Sequence, residues 1–295
     1  MDRAADVVRR ALPALPAEPL AVDAVVSRGY TYAEHAVARL RDGRSAFVKL
    51  AVDDTTASWL RAEYAIYSAL DGPWRPDVLG WHDDGSLPVL VLEDLSGAPC
   101  PPPWTAERVD AVLAALAEVS AHPVPPGLAP IDDNAFHRSG WPEVARAPEP
   151  FLALGMCSSA WLSRALPTLL SVGDPAALAG DALLHLDVRS DNLFFRGDRA
   201  VLVDWNLAAY GNPAMDVAFW LPSLHMEGGP EPEKVREVEP ALVALVAGFF
   251  AGRAGLPHIP VAPQVRDVQR RQLEVALPWA ARVLDLPAPA PVTGI

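Results

Sequence analysis

The chain has 295 residues and a mass of 31.6 kDa, enough for two domains or lobes around a core that needs no covalent staples. Its 24 basic residues against 37 acidic ones leave a net charge of −13 and a pI near 4.9, a field that repels nucleic acid and anionic membranes and favours cationic ligands. The two cysteines, Cys100 and Cys157, exclude a disulfide scaffold and a cysteine-rich zinc site, and point to a reducing compartment.

The opening MDRAADVVRRALPALP has no apolar run of signal-peptide length, and no 18-residue uncharged stretch reads as a membrane span. A cytoplasmic location is therefore expected. Residues 4–11 predict a short helix ended by Pro13 and Pro16. Residues 22–52 read as strands, with AEHAVARL (33–40) and RSAFVKLA (44–51) flanking an Asp42-Gly43 hairpin turn. Residues 55–70 predict a helix with Trp59, Ala62, Ile66, Ala69 and Leu70 on one face, closed by Gly72 and Pro73. Two more strands, VLGWHDDG (78–85) and PVLVLEDL (88–95), follow around Asp84-Gly85.

SGAPCPPPW (96–104) holds four prolines and cannot be regular structure, which makes it the linker between a strand-rich first part and a helical second part. Thr105 is placed to cap a helix over about 106–121. Residues 123–142 read as a proline-rich loop, and a helical pattern resumes through 149–171. Short strands are expected at 183–187 and 200–204. Helices over about 231–254 and 261–284 close the chain before a frayed tail, PAPAPVTGI. There is no internal repeat.

The densest chemical signal is LLHLDVRSDNLFFRGDRAVLVDWNLAAYGNPAMDVA, residues 183–218. It contains His185-x-Asp187-x4-Asn192, then Asp204-Trp205, then Gly211-x-Pro213-x2-Asp216. Asp187 ends one apolar run and Asp204 ends another, and carboxylates at strand ends face clefts more often than cores. Two acidic side chains and an amide from adjacent strand ends supply the oxygen ligands that Mg²⁺ prefers. A carboxylate nearby can orient a hydroxyl that attacks a phosphoryl group.

This pattern resembles the kinase catalytic loop with its metal-binding Asp, and more closely the aminoglycoside phosphotransferase family of small-molecule kinases. Asp-Trp in place of Asp-Phe-Gly, and the following Gly-x-Pro-x-x-Asp, favour that family over protein kinases. The interval from Asp204 to Asp216 is also too short for a protein-kinase activation loop. The resemblance extends more weakly over 20–285. It implies an α/β (α+β), protein-kinase-like two-lobed fold: an antiparallel-sheet N-lobe with one helix over 1–95, a linker over 96–104 and a mainly helical C-lobe over 105–295.

The resemblance also implies residue roles. Asp187 becomes the catalytic base, Asn192 and Asp204 the Mg²⁺ ligands, and His185 and Asp216 supports of the loop. Lys49, in the strand AFVKLA, matches the lysine that meets the nucleotide phosphates, with Glu63 on the next helix as its partner. The stretch LVLEDLSG (90–97) matches the hinge, where backbone groups of about Glu93 and Leu95 would hold the nucleobase of ATP or GTP against apolar walls such as Leu90. Two departures stand out. The phosphate-covering loop, about 27–37, has a single glycine, Gly29, leaving Ser27, Tyr30 and Thr31 to serve. Leu186 and Asp191 stand where the family often has glycine, and Asp191 either pairs with Arg189 or simply faces solvent.

The acceptor should lie between the catalytic loop and the C-terminal helices. Glu227, Glu231, Glu233, Glu237, Glu239, Asp267, Glu274 and Asp285 are the acids available there, against the plain alternative that EGGPEPEKVREVE is a solvated face. Trp141, Trp220 and Trp279 either line a pocket or form core. Trp279 and Asp285 are the chosen candidates, because an aromatic face with a carboxylate suits a cationic amine. The expected activity is Mg²⁺-dependent transfer of the γ-phosphoryl of ATP or GTP to a hydroxyl of a small cationic molecule, such as an aminoglycoside or related antibiotic. A metabolic kinase for a sugar, an amino sugar or a choline-like alcohol is the alternative, and an inactive nucleotide-binding homologue is the alternative of another class.

Overall fold

A computed structural model describes residues 3–25, 34–133, 140–260 and 262–290. The expected phosphate-covering loop, with Ser27, Gly29, Tyr30 and Thr31, lies outside the described residues up to position 33.

The first part of the chain folds as a five-stranded antiparallel sheet with one helix on each face. After helix α1 (Arg3–Ala11) come β1 (Pro19–Val25), β2 (Glu34–Leu40) and β3 (Ser45–Leu50), then α2 (Asp54–Ala69), β4 (Val78–His82) and β5 (Val89–Glu93). The strand order is β1-β2-β3-β5-β4. Gly43 has φ 86°, the left-handed geometry that the Asp42-Gly43 hairpin turn requires.

The period-2 alternation of the strands sorts the side chains. Ala36, Ala38, Leu40, Ala46, Val48, Leu50, Val89 and Val91 pack with Val7, Ala11 and Ala14 into a small outer core beneath α1. The alternate residues, among them His35, Phe47, Lys49, Leu90 and Leu92, face the other way, toward α2 and the rest of the molecule.

Helix α2 starts at a capping box: the Asp53 side chain accepts from Thr56 N–H, while the Thr56 side chain accepts from Asp53 N–H. Its buried face carries Thr56, Ala57, Leu60, Glu63, Ile66 and Tyr67, whereas Trp59 is 47% exposed. The face expected from apolar spacing is thus rotated. Counting only apolar residues misses a helix that buries a glutamate, and here the ion pair described below sets the orientation.

Residues 94–105 cross to the second part without helix or strand, as the prolines require. There α3 (Ala106–Ala121) is capped by Thr105, whose side chain accepts from Arg108 N–H. It is followed by α4 (Trp141–Arg146), α5 (Glu149–Leu152) and α6 (Ser159–Val172). Two small hairpin-like sheets come next: β6 (Ala182–Leu184) pairs with β9 (Ala209–Gly211), and β7 (Leu193–Arg196) with β8 (Arg199–Leu202). The chain ends with α7 (Met215–Met226), α8 (Pro232–Val235), α9 (Pro240–Ala254) and α10 (Val265–Val283).

Helix α7 is absent from the sequence reading, and the stretch expected as one helix over 231–254 is two. MDVAFWLPSLHM is apolar on every side because α7 is enclosed by α3, α9 and α10, so it shows no one-sided stripe. The expected helix over 149–171 is likewise split by the turn at 153–158. Among the described residues no helix is long and apolar enough to cross a membrane.

Candidate active site

The site forms where the inner face of the five-stranded sheet meets the β6–β9 segment. Lys49 is 7% exposed. Its Nζ donates to Glu63 Oε1 at 2.6 Å and to Asp204 Oδ1 at 3.1 Å, so a strand, a helix and a loop of the second part meet at one ammonium group. Burial opposes the charge on Lys49, but Asp204 and Glu63 together hold its pKa above the ordinary value. Burial alone would raise Asp204, yet the Lys49 ammonium overrides it and holds that carboxyl below the usual range. Glu63, 1% exposed, is pushed up to about 7 by burial, against the pull of Lys49. The Tyr67 hydroxyl, one turn further along α2, accepts the Asp204 N–H at 3.3 Å.

Asp204 itself has φ 67°, and Leu186 has φ 62°. Left-handed backbone in non-glycine residues costs about 1–2 kcal/mol each and persists where surrounding bonds fix it. At Asp204 they come from Tyr67, Lys49 and Asn206, and at Leu186 from Asp216 at the first turn of α7. Its Oδ2 accepts His185 N–H at 2.8 Å and its Oδ1 accepts Leu186 N–H at 2.7 Å. His185 is fully buried, its Nε2 is 3.0 Å from the Val203 carbonyl and its Nδ1 accepts the Asp187 N–H at 3.2 Å. Burial lowers its pKa, which suits a neutral brace between the strand ends that carry Asp187 and Asp204. Gly211, which starts the Gly-x-Pro motif, has no room for a side chain: a Cβ there would stand 2.6 Å from Ile131 and 2.8 Å from the Leu178 carbonyl.

Asp187 follows β6. The Asn192 amide donates to Asp187 Oδ2 at 2.8 Å and to its carbonyl at 3.0 Å, so the Asn192 side-chain oxygen is turned away from Asp187. Arg189 lies 3.2 Å from Asp187 Oδ1 and 3.0 Å from Asp191 Oδ2, the pairing expected for Asp191. Burial raises the Asp187 pKa, and Arg189 only partly opposes it. Asp191 is raised by burial in the same way.

Glu227, at the end of α7, joins this side. Its Oε1 accepts from the Ser190 hydroxyl at 2.6 Å and its Oε2 from Trp104 Nε1 at 3.1 Å, and burial raises its pKa. Sequence reasoning had Glu227 only as one of eight acids. Its signal is that it directly follows α7, which was itself hidden. Two others from that set are surface partners: Glu233 pairs with Arg282, and Glu231 with Lys234.

Two acceptor candidates fall away. Trp279 is 1% exposed and sits in the core of the second part, because its face of α10 packs inward. Trp141 and Trp220 are core as well. Asp285 is exposed, in a left-handed turn just past α10 where its N–H bonds the Arg282 carbonyl, and no described contact joins it to the catalytic loop.

In the hinge stretch, Glu93 donates its N–H to the Asp77 carbonyl, and its side chain pairs with Arg196. The Leu95 carbonyl accepts from Ala98 N–H, and Leu90 and Leu92 are buried on the inner face of the sheet.

A small antiparallel sheet facing a helical part, with a lysine, two strand-end aspartates and an asparagine at the junction, defines a protein-kinase-like phosphotransferase. Residues 31–250 match the phosphotransferase enzyme family (APH), and the chain belongs to that family of small-molecule phosphotransferases. No curated protein matches it in sequence. Among solved structures, the spectinomycin phosphotransferase APH(9)-Ia in complex with ADP and spectinomycin superimposes with a TM-score of 0.57 at 12% identity, over 96% of this chain and 94% of that one. The macrolide 2′-phosphotransferase MphH of Brachybacterium faecium gives 0.54 at 18% identity, over 85% and 91%. The choline kinase of Cryptosporidium parvum gives 0.56 at 10% identity, over 90% of each chain. At such identities the likeness carries the fold alone.

Proposed function

We propose that the protein transfers the γ-phosphoryl group of ATP or GTP, with Mg²⁺, to a hydroxyl of a small cationic molecule. The observation that carries this reading is the placement of Asp187. It is a half-buried carboxylate with raised pKa, fixed by Asn192 and Arg189, on the same junction as a second aspartate tied to Lys49. Asp187 is suited to orient the acceptor hydroxyl and take its proton as the oxygen attacks.

The donor set fits a hard divalent ion. Asp204 offers a carboxylate held ionised, and Asn192 has its amide nitrogen occupied by Asp187, which leaves its oxygen as the available ligand atom. Among the described residues no group of three or more His, Cys, Asp or Glu is placed to hold a metal ion, so the proposed ion would rest on Asp204, Asn192 and the nucleotide phosphates. When bound, the ion would neutralise charge on the transferring phosphoryl group. Lys49 would meet phosphate oxygens, and the backbone of Glu93 and Leu95 the nucleobase.

The acceptor side is acidic. Asp187 and Asp191 both pair with Arg189, Glu227 joins them through Ser190, and the whole chain carries −13. A cationic acceptor would relieve that imbalance. Spectinomycin, macrolide and choline are what the similar structures name, which keeps both an antibiotic and a metabolic alcohol in view for this chain.

The test is Mg²⁺-dependent release of nucleoside diphosphate across aminoglycosides, other cationic antibiotics, amino sugars, plain sugars and choline, with Asp187→Asn as blank. Release with a cationic acceptor, absent in the variant, is the expected result. Release with neutral sugars alone would overturn the cationic assignment, and full turnover in Asp187→Asn would overturn the base assignment.

A further inference from the structure

His35 on β2 stands directly opposite Lys49 on β3. Residues so paired in an antiparallel sheet project from the same face, with Cβ atoms about 4.5–5.5 Å apart. The flanking β2 residues Ala36 and Ala38 point into the outer core, so the imidazole is on the inner face with the lysine. His35 leans on Phe47 with ring centroids 5.3 Å apart.

Its Nε2 atom is buried, yet among the described residues no donor or acceptor meets it. From the other side of the junction, Asn206 donates Nδ2 to Asp204 Oδ1 at 2.5 Å, while its own Oδ1 is also buried without a partner. Both side chains line one cavity with Lys49, Thr56, Trp59, Leu60 and Glu63. Unpartnered buried polar atoms are rare in folded proteins. Two in one cavity, beside the lysine assigned to the nucleotide phosphates, mark a place shaped for a polar guest.

A guest that accepts from the Nε2–H tautomer of the imidazole and sits against an ammonium group has the chemistry of a phosphate oxygen. A water on that phosphate can donate to Asn206 Oδ1.

We propose that His35 is a nucleotide-phosphate ligand: its Nε2–H donates to an oxygen of the terminal phosphates alongside Lys49, with Asn206 receiving a water of the same phosphate group. This rests on the nucleotide reading above and adds to it two residues that no motif marks. In this arrangement His35 stays neutral, since burial and the adjoining Lys49 charge lower its pKa to about 4. It thus reads the phosphate by a directed hydrogen bond and leaves the charge to lysine.

The test is calorimetric binding of nucleoside triphosphate, nucleoside diphosphate and nucleoside, with Mg²⁺, to the wild type, His35→Phe and His35→Gln, together with their melting temperatures. Phenylalanine keeps the packing on Phe47 and removes the donor, and glutamine restores a donor. Triphosphate affinity should fall about tenfold in His35→Phe, the weight of one hydrogen bond to a charged group. It should recover in His35→Gln, with nucleoside binding unchanged throughout. The free His35→Phe protein should melt no lower than wild type, because an unpaired buried nitrogen has been removed.

Wild-type triphosphate affinity in His35→Phe would overturn the proposal and leave the nucleotide reading standing. Equal loss for nucleoside and triphosphate would overturn it too, by showing a packing role. Failure of the wild type to bind any of the three would overturn both readings.

Discussion

The two flanks of the junction are built on opposite electrostatic plans. On the sheet side, Lys49 sits between Glu63 and Asp204, both within 3.1 Å, and the lysine and Asp204 are each held in their charged form by the other. On the loop side, Asp187 and Asp191 pair with Arg189, Glu227 is held by Ser190 and Trp104, and burial raises the pKa of all three acids. The first cluster is a tie between the two parts of the chain. The second gathers acids whose burial favours their neutral forms, which is the arrangement the proposed reacting surface calls for. A difference of this kind is open to experiment, since a tie should answer to stability measurements and a reacting surface to kinetics.

The largest expected effect is on the loop side. Asp187→Asn should lower kcat about 10³-fold, in the range of a lost general base, with nucleotide affinity retained in calorimetry. Next, on the sheet side, Lys49→Ala should destabilise the free protein by about 3 kcal/mol in urea denaturation, because it leaves Glu63 and Asp204 buried without their cation. If Lys49→Ala were as stable as wild type, the idea of a tie would fail.

Glu227→Gln sharpens the contrast. Its KM for a cationic acceptor should rise about tenfold, with kcat nearly unchanged. A neutral acceptor should show no such change.

The smallest effect is on pH and stability. The folded-state pKa of Glu227 is raised by burial, so just above the ordinary carboxylate range the folded protein holds a proton that the unfolded chain has released. Stability from this group is present at low pH and lost as pH rises through the folded value. Glu227→Gln, whose amide can still serve Trp104 and Ser190, should therefore melt a few degrees higher than wild type at neutral pH, with the gap closing below about pH 4. An equal gap at both pH values would assign the effect to packing.

Much of the sheet was legible because its strands alternate. Residues 34–39 and 45–50 pair around the expected turn, and Lys49 was marked by its place in the strand AFVKLA. Helix α2 was legible in extent but not in orientation, since Glu63 is buried where a polar residue argues for solvent. Helix α7 is enclosed within the second part, and a helix apolar on all sides has no stripe to read. Trp279, chosen for the cleft because an aromatic face suits a cationic amine, lies on the buried side of the amphipathic helix α10 and is core.

Local order and local chemistry belonged to the sequence: the strands, the cap at Thr105, the breaking of regular structure by the prolines, and the spacing of His185, Asp187, Asn192 and Asp204 along one short stretch. These follow from backbone sterics and side-chain alternation within a few residues. Tertiary structure alone decided which distant groups meet. Lys49 and Asp204 are 155 residues apart, Trp104 and Glu227 are 123 apart, and His35 and Asn206 open on one cavity. Such contacts depend on how the two parts of the chain close on each other, and nothing in the residues adjoining Glu227 or His35 in sequence records that geometry.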